Sequence, residues 1–155
     1  MKINFNGAYD YGIFRSASGI VAMNVEGAAL CSRSEVHEEV ASAFAAEAIA
    51  CQKAVEMGSE MRWEDIIVEA DSLSIVKKCK QKSRTNRLSE HIHNIKQVTG
   101  RFRTVRFTYV PQTANGLAHT IAKEALRRRE LSYLVRKVPV YVERALEVDW
   151  EREPD

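Results

Sequence analysis

The chain has 155 residues, enough for one domain with an adequate core. An apolar fraction of 45% and a charged fraction of 28% place it among soluble globular proteins and exclude a low-complexity polypeptide. A net charge of +2 does not by itself announce a nucleic-acid binder, and no apolar stretch approaches transmembrane length.

The first strand is read over residues 2–8. Ile3 and Phe5 point one way, while Lys2, Asn4 and Asn6 point the other. No leader is expected, since Met1-Lys2 runs straight into this strand. Residues 9–18 read as a loop. Strands are predicted over 20–24 and 28–32, joined by a tight turn at Glu26-Gly27, which completes an antiparallel meander. Ser34, followed by Glu35, Glu38 and Glu39, signals a helix start. That helix is expected to run to about Met57, with Gly58 as its stop and Phe44, Ala48, Cys51 and Val55 as its apolar stripe. Glu47 falls beside the stripe.

A fourth strand is predicted over 65–70 and a helix over 73–80, capped by Asp71 or Ser72. A second amphipathic segment carries Leu88, Ile92 and Ile95. The fifth strand covers 103–110, with Val105, Phe107 and Tyr109 on one face, and Pro111 ends it. Asn115 starts a long helix through Ala118, Ala122, Ala125 and Leu126. A last amphipathic piece after Pro139 carries Tyr141, Val142, Ala145 and Leu146. The order is β-β-β-α-β-α-β-α. It predicts an α/β fold with a five-stranded mixed sheet, three strands antiparallel and two parallel, flanked by helices.

Charge is distributed unevenly. Residues 77–87 carry Lys77, Lys78, Lys80, Lys82, Arg84 and Arg87 with no acid; Arg101, Arg103, Arg106, Lys123 and Arg127-Arg128-Arg129 follow. The tail reverses sign through Glu143, Glu147, Asp149, Glu151, Glu153 and Asp155. A basic middle with an acidic end suits a protein that meets phosphates on one face, although solvated helix faces give the same pattern. The three cysteines, Cys31, Cys51 and Cys79, are odd in number and lack metal-ligand spacing, so free thiols in an intracellular protein are expected. His91 and His93 point to different helix faces and do not pair. No glycine-rich phosphate loop occurs.

Four motifs remain. Asn4-Phe5-Asn6-Gly7-Ala8 lies on the first strand and Ala46-Glu47-Ala48 in the first helix. Glu69-Ala70-Asp71-Ser72 lies at the fourth strand's C-terminal tip, and Asn115-Gly116-Leu117-Ala118-His119 opens the long helix. In open α/β sheets, ligands collect at such tips. Taken singly, each residue has an ordinary reading: Asp71 as a helix cap, Glu47 as an exposed charge, Asn6 as a hydrogen-bonded strand residue, His119 as a solvent-facing first-turn residue. Taken together and in order, the motifs resemble ribonuclease H-like domains, closest to the plant type related to retroelement reverse transcriptases. The resemblance covers roughly residues 1–135, leaving 136–155 as an amphipathic, acidic extension.

The resemblance implies an endoribonuclease acting on RNA–DNA hybrids with Mg²⁺, or alternatively Mn²⁺, as a two-metal hydrolase. Residue by residue it gives Asn6, Glu47, Asp71 and His119 as the catalytic set, with Asn6, Glu47 and Asp71 on the metal. Asn6 replaces the usual aspartate, which removes one charge, and His119 replaces the last aspartate with a nitrogen donor better suited to zinc than to Mg²⁺. Nucleic-acid contacts are expected from Asn4, Gly7, Ala8, Lys77, Lys78, Lys80, Lys82, Asn115, Arg127 and Arg128. Asp10 is close enough in sequence to substitute in part for the lost carboxylate. The alternatives are a binding module without catalysis and a protein-interaction domain. A monomer in the cytoplasm or nucleus, with no membrane partner, is expected.

Overall fold

The computed structural model describes residues 1–81 and 90–129, together with the backbone of 132–135. Lys82, Leu88 and the extension after Pro139 lie outside the described residues. Three long strands open the chain: β1 (Lys2–Asp10), β2 (Arg15–Met23) and β3 (Ala29–His37). They pair antiparallel, with Asn6 opposite Gly19 and Ser34 opposite Gly19 from the other side. Then come α1 (Ala43–Glu60), β4 (Asp65–Ala70), α2 (Leu73–Lys80), α3 (Glu90–Thr99) and β5 (Thr104–Tyr109). A 3₁₀ turn (Gln112–Asn115) leads into α4 (Gly116–Arg128). β4 pairs parallel with β1 and with β5.

The expected five strands stand in the order β3-β2-β1-β4-β5. A sixth, β6 (Ser132–Val135), was not foreseen; it pairs antiparallel with β3 and extends that edge. Among the described residues no helix is long and apolar enough to cross a membrane.

The strand alternation sorts the core into two layers. Ile3, Phe5, Ile20, Ala22, Val68 and Ala70 turn toward α1, α2 and α3. Val21 packs with Leu117 and Ile121 of α4 on the opposite face. Two glycines permit the helices to come this close. A Cβ on Gly7 would stand 2.4 Å from the Ala46 carbonyl oxygen of α1, and one on Gly19 would stand 2.3 Å from the Ala118 oxygen of α4.

The first helix begins later than the sequence suggests. Ser34 is buried within β3, and the N-cap is Ser42, whose Oγ accepts from the Ala45 N–H at 3.0 Å. The acids that mimic a helix start serve a strand and its exit: Glu35 meets Lys53 at 3.5 Å and Glu38 meets Arg15 at 2.7 Å. Gly58 does not stop the helix, which continues to Glu60. A Cβ there would lie 3.1 Å from Ile3 Cδ1, so this glycine seats α1 against β1. Phe44, assigned to the apolar stripe, is exposed.

Candidate nucleic-acid site

β1 and β4 run parallel, so their C-terminal ends bring Asn6 and Asp71 to one edge of the sheet. Asn6 Nδ2 donates to Asp71 Oδ1 at 3.2 Å. Asn115, at the foot of α4, donates from its own Nδ2 to the same oxygen at 3.2 Å and to the Phe5 carbonyl at 2.8 Å. Its Oδ1 accepts from Asn4 Nδ2 at 3.1 Å. Three asparagines and one aspartate thus form a chain of hydrogen bonds joining β1, the tip of β4 and α4. Bonds to an ionised acceptor are the stronger kind, and here two donors converge on one carboxylate oxygen. Asp71 is not the cap of α2; Ser72 holds the N-cap position.

Glu47 approaches from α1 on the other side of β1. The residue is half-buried, yet its Oε2 is closed off from solvent and has no hydrogen-bond partner. Burial pushes its carboxyl up to about 8; the Gly7 backbone N–H, which donates to it, opposes that shift, and the Asp71 charge adds to it. Gly7 therefore spends its N–H on Glu47. Ala8 is half-buried in the β1–β2 ladder opposite Ala17.

The other expected members are placed differently. His119 faces Gln112, with Nε2 to Nε2 at 3.3 Å. Among the described residues no three histidine, cysteine or acidic side chains gather to hold a metal. Asp10 Oδ1 accepts from the Gly12 N–H at 2.9 Å and so closes the β1–β2 turn. Asn4 and Asn115, expected to touch nucleic acid, are only 3% and 1% exposed; their side chains hold the site together. Lys77, Lys78 and Lys80 are exposed at the end of α2. Arg127 and Arg128 share Glu124 Oε2 at 2.8 and 3.2 Å, which offsets part of their charge. Asn115, which the sequence singles out as a nucleic-acid contact and helix start, is the hub of these hydrogen bonds; that hub role is not visible in an asparagine ahead of a helix with two more spaced i, i+2 on a strand.

The magnesium pair implied by the resemblance can be tested against these donors. Two divalent ions need several anionic oxygens. The edge offers two carboxyl groups, and the oxygen of Asp71 that faces β1 is met by two N–H groups. Turning the Asn6 amide to present its oxygen would set that oxygen against Asp71 Oδ1. Among the described residues of this edge, Glu47 Oε2 and Asn4 Oδ1 are closed off from solvent without a hydrogen-bond partner. This donor set does not fit a two-magnesium centre.

The sequence profile of the reverse transcriptase-like family matches residues 4–125, from β1 into α4. The chain belongs to that family. Solved structures agree on the fold. The ribonuclease H1 of the halophilic archaeon Halobacterium salinarum is 24% identical with a TM-score of 0.75, covering 82% of this chain and 97% of that one. The N-terminal ribonuclease H domain of a Mycobacterium tuberculosis protein is 16% identical with a TM-score of 0.72, covering 82% and 94%. A ribonuclease H1 isolated from compost, solved in complex with an RNA/DNA hybrid, is 20% identical with a TM-score of 0.72, covering 83% and 97%. No match was found among curated proteins. This member of the reverse transcriptase-like family therefore has the ribonuclease H-like fold.

Proposed function

We propose that this chain is a nucleic-acid-binding module, with RNA–DNA hybrid as its ligand class, and that hydrolysis by the present sequence is weak or absent. The observation that carries this reading is the convergence of the Asn6 and Asn115 amides on Asp71 Oδ1. A neutral donor stands where the family resemblance implies a bridging carboxylate, and it satisfies the oxygen that a cation would otherwise take. The likeness in fold to a protein solved with an RNA/DNA hybrid supports the ligand class. The four motifs in order support the plant, retroelement-related branch. Lys77, Lys78 and Lys80 supply free charge for backbone phosphates, so binding should fall steeply with salt. Hydroxyls in the wide minor groove would distinguish the RNA strand.

A labelled hybrid, incubated with the unaltered chain in magnesium and in chelator, tests the reading. A retarded, uncleaved complex is expected in both buffers. The Asn6→Asp variant is expected to cleave in magnesium at least ~100-fold faster than the unaltered chain, about 2.7 kcal/mol of barrier. Efficient cleavage by the unaltered chain would overturn the reading, as would failure to bind the hybrid at low salt.

A further inference from the structure

Behind the site, two sulfurs lie together at the seam between α1 and α2. Cys51 is fully buried on α1, one turn beyond Glu47, and Cys79 is half-buried in the last turn of α2, between Lys78 and Lys80. Their Sγ atoms are 3.9 Å apart. The third cysteine is elsewhere: Cys31 donates from Sγ to Met57 Sδ at 3.7 Å. Cys79 also lines an open cavity of about 650 Å³ bordered by Lys80, Thr99, Phe102, Arg106 and Phe107, so a small reagent can reach the residue.

We propose that Cys51 and Cys79 form a reversible redox site, which a hydroperoxide converts to an intramolecular disulfide tying α1 to α2. In the first step the Cys79 thiolate attacks a peroxide oxygen. The O–O bond breaks, the distal oxygen leaves with a proton as water or alcohol, and Cys79 becomes a sulfenic acid. In the second step Cys51 attacks the Cys79 sulfur, the S–O bond breaks, and hydroxide takes the Cys51 proton as water. Two thiols lose two electrons and the peroxide gains them. The roles follow from the surroundings. The Cys51 hydrogen bond holds the Cys79 thiol below its ordinary value, with the Lys96 ammonium adding to the effect. Burial, first of all, holds Cys51 well above its own, which makes it the resolving partner. A disulfide needs about 2.05 Å between sulfurs, so closure from 3.9 Å requires the two helices' side chains to approach further. The bond would couple the helix carrying Glu47 to the helix carrying the exposed lysines.

The test treats the native full chain with a few equivalents of hydrogen peroxide, blocks remaining thiols with a maleimide, then unfolds and digests it. The expected result is loss of two of the three thiols, a Cys51–Cys79 cross-linked peptide lighter by two hydrogens, and full recovery with dithiothreitol. Cys31→Ala should cross-link equally well, whereas Cys51→Ala, which also removes the hydrogen bond that activates Cys79, should oxidise more slowly and accumulate a trappable sulfenic acid on Cys79. Three intact thiols, oxidation of Cys79 to sulfinic acid without a cross-link in the natural chain, or cross-links only between chains would each overturn the proposal. It stands apart from the nucleic-acid reading, since none of these readouts uses a nucleic acid.

Discussion

The two faces of β1 answer burial in opposite ways. Ile3 and Phe5 enter a purely apolar layer beneath α1, where volume is the main requirement. Asn4 and Asn6, on the alternate face, are as deeply buried at 3% and 5% exposure, yet each is fixed by direction through a bond to one named partner. The apolar face gains stability in proportion to area. The amide face gains little net energy per bond but loses much when a partner is removed. One strand thus carries a tolerant scaffold on one side and an exacting site on the other.

Substitutions can break this contrast in order of size. Phe5→Ala empties a fully buried position in the apolar layer and should cost about 3–5 kcal/mol in urea unfolding. Asn115→Leu keeps the volume but strands the Phe5 carbonyl and the Asn4 amide; about 2–4 kcal/mol is expected. Ile3→Leu, also conserving volume, should cost less than about 1.5 kcal/mol. If Asn115→Leu proved as mild as Ile3→Leu, the amide chain would carry no special weight.

Glu47 sharpens the contrast through pH. Its carboxyl is raised from 4.5 to about 8 in the folded chain, burial being the main cause. A group raised in this way contributes stability in full below pH 4.5, and that contribution is lost as pH climbs through 8. Glu47→Gln should therefore gain on the natural chain as pH rises, by about 1–3 kcal/mol at alkaline pH. Urea midpoints measured in chelator at mildly acid and at alkaline pH would show the difference; parallel shifts of the two proteins would deny it.

Local signals in the sequence were reliable where they stood alone. Strand β4 and helix α2 fall at the predicted residues, because a short apolar run and an amphipathic run meet there without competing cues. The start of α1 differs from the sequence reading because Ser34 and its acids match a capping pattern, while pairing with β2 holds Ser34 and Glu35 in a strand that runs to His37. The gathering of Asn6 with Asp71 was implied by the family motifs, but the bonds between them were not. Those bonds span 65, 44 and 111 residues of sequence, and no periodicity encodes them. The closeness of Cys51 and Cys79 was hidden for the same reason, as they belong to two helices that only the sheet brings together.

If the amide bonded to Asp71 stands in for a cation, magnesium should find no site beside it in the natural chain. Thermal unfolding with increasing magnesium, at constant ionic strength, tests it most directly. For the natural chain no change in Tm is expected. For Asn6→Asp, which sets a second carboxylate beside Asp71, a rise of about 3–6 °C at saturation is expected. A comparable rise in the natural chain, abolished by Asp71→Asn, would contradict it.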